Sequence, residues 1–356
     1  MTTGQCGRAT SAGYGTSLLQ QAVSEGLRDR FFLFDRSLPD GPRLLVAQEN
    51  ELLESLGWID RLVTRIRKGW QVRLTIKSQE TPHRNFIQLT PDVLLIRAWL
   101  HLDRRQLRRT FDHHAINPVL ETVIDHSTML PEHAAFLSNE WLAIGLPIQV
   151  IHEINEVLTS LNSALSDDNL RSRERNFLRA SQKELGSLDT YSASLVHRHQ
   201  SLQCVRIDLG YRGVTNPISR TSFEEVHQSA RKHFNKLIAR LKHDFYMSMP
   251  GHIRKIEYSS GAGYHYHCLF FFTSTPGLDI HDIGERIGEH WCVNATQGRG
   301  AYFDWSRLTR AGSRKDAHCA VNGPDLHVAF QYLTRLDRYL RLSIGRGHTL
   351  IKGKQM

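Results

Sequence analysis

The segment that most constrains this chain follows a glycine-rich turn and reads Tyr264-His265-Tyr266-His267-Cys268-Leu269-Phe270-Phe271-Phe272-Thr273. Read as a β-strand, it alternates its side chains with period two, so His265 and His267 project from one side as a clamp for a metal ion. The strand 252–258 lies just before the turn Ser259-Ser260-Gly261-Ala262-Gly263, and the two strands should form a hairpin. With the turn centred near 261–262, Glu257 faces His265 or His267 across the ladder, and parity puts all three on one face. Two neutral imidazoles and one carboxylate leave coordination positions open for phosphate oxygens and water. This set suits Mn²⁺ or Mg²⁺, and zinc can also enter it. The plainer reading is a pair of partly exposed strand histidines in a chain with 20 His; Glu257 favours the metal.

Around this hairpin the pattern is that of an α+β domain with an antiparallel sheet and flanking helices, preceded by a mostly helical region. Gln203 to Leu209 reads as a strand, with Val205, Ile207 and Leu209 on one face and Cys204, Arg206 and Asp208 on the other. Thr221-Ser222-Phe223-Glu224 is a capping box that opens a long amphipathic helix to about 245. A helix over about 280–292, a segment ending in an aromatic cluster near 303, a polar stretch over 311–324 and a last helix over 325–342 follow. The expected division is a flexible arm over 1–30, a mostly helical region over 31–195, and the catalytic domain over 200–350. In the helical region, helices are expected at 48–67, near 100–111 and over 134–164, with a charged stretch at 167–181 leading into residues 182–200, where hydroxyl and amide side chains dominate and the domain boundary is placed at about 190–200. His113, His114, His126 and His133 lack ligand spacing and read as surface histidines.

On the last helix Tyr332, Arg335, Leu336 and Tyr339 stand at i, i+3, i+4 and i+7, one face of a helix. A phenol is a weak nucleophile at neutral pH because its reference pKa is near 10. A cation nearby helps its anion form and can hold a phosphate, and Arg335 is placed to do so. A metal on the histidines would withdraw charge from phosphorus as a Lewis acid. Tyr332 and Tyr339 also fit an ordinary aromatic stripe against the sheet. Further along, Arg299, Tyr302, Phe303, Trp305, Arg307 and Arg310 interleave cations with aromatics, which suits unstacked single strands as well as a strand flanked by solvated arginines.

Charge sharpens the assignment. Residues 201–356 hold 22 Lys+Arg against 13 Asp+Glu, an excess equal to that of the whole chain, 45 against 36. Residues 1–200 are thus neutral, and attraction for a polyanion belongs to the segment with the histidines. Cys6, Cys204, Cys268, Cys292 and Cys319 form no CxxC pair, which disfavours a disulfide framework or zinc knuckle and fits a reducing cytoplasm. Neither a signal peptide nor about 18 uninterrupted apolar residues is present, so no membrane partner is expected.

Taken together, Cys204-Val205-Arg206-Ile207-Asp208-Leu209, Lys255-Ile256-Glu257-Tyr258, His265-Tyr266-His267, Tyr332-Leu333-Thr334-Arg335 and Gly345-Arg346-Gly347, in that order, resemble the HUH endonucleases, in particular rolling-circle replication initiators of the filamentous-phage (inovirus) and prophage type. The resemblance covers about residues 200–350 and implies a Rep-like, ferredoxin-related palm. It implies that His265 and His267 bind a divalent metal, Mg or Mn, and that Tyr332 attacks single-stranded DNA at a replication origin. The product would be a 5′-phosphotyrosine link and a free 3′-hydroxyl, with a host helicase and polymerase as implied partners. Arg335 stands where that family usually carries lysine. The alternative is a DNA-binding regulator that keeps the fold without nicking. A third reading is a zinc hydrolase that does not need Tyr332.

Overall fold

The computed structural model describes residues 32–35, 43–46, 49–78, 85–87, 90–130, 147–199, 201–212, 220–259, 263–274, 279–305, 319–320, 324–344 and 348–354. Its centre is one antiparallel sheet made from β6 (Leu202–Tyr211), β7 (Gly251–Ser259), β8 (Gly263–Thr273), β9 (Gly300–Asp304), β10 (Cys319–Ala320) and β12 (Leu350–Lys352). β8 lies between β6 and β7, β12 borders β7, and β9 and β10 share the outer edge of β6. The helix α7 (Arg220–Asp244) joins β6 to β7, and α8 (Ile280–Glu289) joins β8 to β9. Because all the pairings are antiparallel, β6 and β7 run parallel with β8 inserted between them, and β8 and β9 run parallel with β6 between them. Two split β-α-β units therefore interleave, and the α+β expectation holds.

Both faces of this sheet are covered. On one, α7 and α8 supply Phe223, Phe234, Leu237, Leu241, Ile283 and Ile287, packed on Val205, Ile207, Leu209 and the aromatic rows of β7 and β8. On the other, α6 (Asp168–Arg198) and α9 (Pro324–Arg335) lay Leu188, Tyr191, Leu195, Leu326, Phe330 and Leu333 against Cys204, Ile253, Leu269 and Phe271. Strand β8 is buried on both sides over most of its length, which its run of Leu and Phe requires.

Beyond α6 lies a second core built from α1 (Glu49–Arg67), α2 (Pro91–Leu100), α3 (Arg104–Thr110), α4 (Pro118–His126) and α5 (Ile148–Leu165). Local chemistry sets their starts. Thr90, Asp103 and Asn117 accept from backbone amides of the first turns of α2, α3 and α4, and Pro91 and Pro118 sit at the first helical positions. The expected helix at 48–67 is present. The run near 100–111 divides at Asp103, and the described part of 134–164 is helical from Ile148. The arm, residues 134–146, Gly345-Arg346-Gly347, His133, Arg307, Arg310 and the side chain of Thr221 lie outside the described residues.

Two expectations are corrected. The charged stretch 167–181 and the polar one after it form a single helix of 31 residues, capped by Asp167. The last helix stops at Arg335; Leu336–Arg338 is a 3₁₀ turn, and β11 (Leu340–Leu342) pairs with β5 (His114–Ile116). Leu336, Tyr339 and Leu340 consequently sit in the core of α1–α5. β1 (Phe32–Asp35) pairs with β2 (Arg43–Val46), and β3 (Ile76–Ser78) with β4 (Asn85–Ile87). Among the described residues no helix is long and apolar enough to cross a membrane, and Cys204, Cys268 and Cys292 are buried.

Burial of basic side chains sets an acid limit. His252 lies between Phe234 and Phe270, each ring centroid 6.0 Å away. Its burial, with Arg254 and Lys242 adding to it, pushes the imidazole down to about 4 from 6.5. A group whose folded pKa is depressed contributes stability above its unfolded pKa and loses it as pH falls towards the folded value. Stability should therefore fall between pH 6.5 and about 4, by about 1.4 kcal/mol per pH unit for this group. Urea melts across that window should show a shallower decline in His252→Phe; equal slopes would refute the assignment.

Candidate metal centre

The hairpin register places Glu257 opposite His265 and Lys255 opposite His267, while β6 brings Asp208 opposite His267 from the other side. Odd positions of β7 and β8 and even positions of β6 therefore share the face under α6 and α9. There the side chains of Glu257, His265 and His267 converge, their ligand atoms all within 4.8 Å of one another. Glu257 Oε2 stands 3.6 Å from His265 Nε2 and 3.3 Å from His267 Nε2. Ligands held about 2.1 Å from one ion are roughly 3.0 Å apart in an octahedron and about 3.4 Å apart in a tetrahedron, so these side chains fit a small divalent cation with little movement.

The surroundings of His267 fit the same purpose. Its Nδ1 donates to Asp208 Oδ1 at 2.8 Å, which fixes the tautomer and turns Nε2 towards Glu257. Asp208 is oriented in turn by Trp305, whose Nε1 donates to Oδ2 at 2.9 Å. Burial alone would lower the His267 pKa, but the two carboxylates outweigh it and raise it to about 9. The reverse holds for His265, which burial lowers despite Glu257. Asp208 is lowered: burial opposes this, and the charge and hydrogen bond of His267 prevail. A buried pocket of two carboxylates around an imidazole favours positive charge, which a divalent cation would supply.

Tyr332 reaches this centre from α9. Its half-buried ring meets His267 edge-on, with centroids 5.4 Å apart and planes at 87°. Arg206, from β6, lies between two aromatics, its guanidinium carbon 4.5 Å from the Tyr332 centroid and 4.2 Å from that of Trp305. The helix that carries Tyr332 is tied to the sheet immediately beyond its end. Fully buried Lys255 pairs with Asp337, donates to Thr349 Oγ1 at 2.9 Å, and lies 3.7 Å from Glu184 of α6. Burial raises the Glu184 carboxyl, with Lys255 acting against it.

Other sequence expectations are corrected here. Tyr339 is not at the centre: the helix has ended before it, its side chain is buried in the α1–α5 core, and its hydroxyl donates to Asp60 at 3.1 Å. Burial pushes its pKa up to about 12. Arg335 is half-buried at the last position of α9, and its field acts on Arg61 and Tyr339; the cation stacked on Tyr332 is Arg206. Of the aromatics in the described part of 299–310, Trp305 and Tyr302 pack inward. Trp305 is 4% exposed and faces Asp208, and Tyr302 packs so closely on α8 that a Cβ at Gly288 would lie 2.3 Å from its ring. Arg299 is exposed, donating to Thr296 O. His113 is no free surface histidine either, since its ring stacks on Phe223 at 3.6 Å. The ring nitrogens of His114 are buried as well.

Asp208, Arg206 and the true orientation of Trp305 are the residues sequence reasoning did not assign to the site. Their one signal was the charged alternation of Arg206 and Asp208 within an otherwise apolar strand. Comparison with protein-family models, with curated proteins and with solved structures finds no match to this chain.

Proposed function

We propose that this chain is a metal-dependent, tyrosine-type single-strand DNA endonuclease and strand transferase of the HUH kind, which nicks an origin and initiates rolling-circle replication of a phage, prophage or plasmid. The observation that carries the reading is the edge-on approach of Tyr332 to His267, which sets a phenol beside a three-ligand metal pocket. The interleaved split β-α-β units agree with the ferredoxin-related palm that the resemblance implies, and the excess positive charge of residues 201–356 suits a polyanionic substrate.

Glu257, His265 and His267 would hold the cation, Mn²⁺ or Mg²⁺ by the mixed nitrogen and oxygen set. Bound there, it supplies Lewis-acid withdrawal of charge from a phosphodiester. The chain's own residues do the rest. The Tyr332 oxygen forms a bond to phosphorus and the bond from phosphorus to the 3′ oxygen breaks. The phenolic proton passes to solvent, and the departing oxygen takes one up to become a free 3′-hydroxyl. Arg206, whose guanidinium carbon lies over the rings of Tyr332 and Trp305, offers its charge to a phosphate oxygen. Asp208 keeps His267 in the tautomer that can ligate.

The test is a labelled single-stranded origin oligonucleotide incubated with the protein and Mn²⁺, then run on a denaturing gel. A protein-linked band that disappears with EDTA is expected. DNA binding without any such band would favour a regulator that does not nick. Hydrolysis of small phosphoesters with zinc, without need of Tyr332, would favour a hydrolase.

A further inference from the structure

The face of the sheet opposite the metal centre carries a second set of polar groups that the nicking chemistry does not use. Arg254, on β7, is 6% exposed, and His227, on α7, is 7% exposed. Arg254 Nη1 and both ring nitrogens of His227 are buried without a hydrogen-bond partner among the described residues, and the hydrogen bond from Arg254 to the Tyr266 hydroxyl oxygen leaves that O–H still able to donate. These groups are neighbours: the guanidinium carbon of Arg254 lies 4.4 Å from the Phe234 centroid and 5.3 Å from that of Tyr266. His227 feels the charges of Arg254 and of Arg231, which is exposed one turn further along α7. Among the described residues no carboxylate pairs with Arg254 or Arg231.

An arginine in an apolar core costs several kcal/mol of desolvation unless an anion and hydrogen bonds compensate it. Stacking on Phe234 and Tyr266 recovers part of this, and leaves Nη1 without an acceptor. Burial and the two arginines hold His227 down to about 4 from 6.5, so the ring is neutral and can offer one N–H. The cluster thus presents a fixed cation with a buried N–H left over, a phenol, an imidazole and a second cation at its rim, with no carboxylate paired to either arginine among the described residues. That is the complement of a small tetrahedral oxyanion, whose oxygens accept from planar guanidinium donors.

We propose that Arg254, Tyr266 and His227, with Arg231 at the entrance, form a phosphoryl-binding site between α7 and the sheet, separate from the metal centre. The shared chemistry is the phosphate group, supplied either as free inorganic phosphate or as the terminal phosphate of an oligonucleotide. The proposal does not depend on the nicking reading, because it uses none of the residues of that face.

Thermal melts and titration calorimetry of the full chain test it. The ligands are inorganic phosphate, a 5′-phosphorylated dinucleotide and its unphosphorylated counterpart, each compared with chloride at matched ionic strength. Saturable stabilisation by phosphate beyond that by chloride is expected. A further gain with the phosphorylated dinucleotide alone would identify the terminal phosphate as the source, and no further gain the free ion. Arg254→Met keeps the stacking volume and should melt at least as high as the parent in phosphate-free buffer, yet lose the phosphate response while still binding Mn²⁺. Tyr266→Phe removes one donor and should weaken phosphate about tenfold. Phosphate acting no better than chloride, or an Arg254→Met protein equally destabilised with and without phosphate, would overturn the proposal. If Arg254→Met does not fold, an unchanged phosphate affinity in both Tyr266→Phe and His227→Leu would overturn it as well.

Discussion

Tyr332→Phe is expected to abolish the covalent protein–DNA adduct while leaving Mn²⁺ binding and oligonucleotide binding near those of the parent. The substitution removes one oxygen from a half-buried ring whose edge contact with His267 and stacking with Arg206 are both made by carbon faces that phenylalanine keeps. The ring should therefore stay in place. What is lost is the proposed nucleophile, and removal of a covalent nucleophile registers on the order of 10⁴-fold or more in rate. A denaturing gel of labelled single-stranded DNA with Mn²⁺ reads this directly. An adduct that persists in Tyr332→Phe would move the chemistry to another residue. Tyr339 is poorly placed to inherit it, since its hydroxyl is committed to Asp60 inside the α1–α5 core.

Glu257→Gln is expected to weaken Mn²⁺ binding at least a hundredfold, the other large effect, as it removes the only carboxylate among the three converging ligands. The amide has nearly the shape of the acid, so the pocket persists while its charge is gone. Asp208→Asn makes an informative comparison. Asp208 touches the centre only through His267 Nδ1, and loss of such an outer partner typically costs about 10- to 100-fold in affinity. Calorimetric titration with Mn²⁺ should rank the parent tightest, Asp208→Asn next and Glu257→Gln weakest. Equal affinity in Glu257→Gln and the parent would mean that the side chains converge for another reason. A hydrogen-bonded buried cluster would be the alternative, and thermal stability, not metal affinity, would then fall.

The convergence of Glu257, His265 and His267 was legible because they lie within one hairpin. Its turn is short, the alternation is strict, and three residues on two consecutive strands need only local register to meet. The capped helices α2, α3 and α4 are local in the same sense: Thr90, Asp103 and Asn117 act within three residues of themselves. Arg206 and Trp305 were a different matter. Arg206 reaches the site only because β6 pairs with β8 across more than fifty residues of chain, and Trp305 because β9 pairs with β6. Trp305 has the same side-chain chemistry whether it stacks on a base or donates to a buried carboxylate; the strand register alone separates the two.

Helix α6 shows the same limit from the other direction. Its polar, hydroxyl-rich second half reads as a boundary, yet it is helical because a sparse stripe, Leu188, Tyr191 and Leu195, packs on the sheet. Tertiary burial outweighs weak propensity there. The helix with Tyr332 was recognisable from its spacing, but its end at Arg335 was not, since the strand that follows pairs with β5 more than two hundred residues earlier.

By itself, the order of residues determined the hairpin, its three converging side chains, the antiparallel α+β character and the candidate phenol, all of which follow from side-chain period and short-range pairing. Only the tertiary structure decided which cation stacks on Tyr332, which carboxylate steadies His267, where Tyr339 goes, and that a second basic cluster lies behind the sheet. Those depend on contacts between distant segments, whose partners are selected by burial of the whole core and leave almost no local trace in the chain.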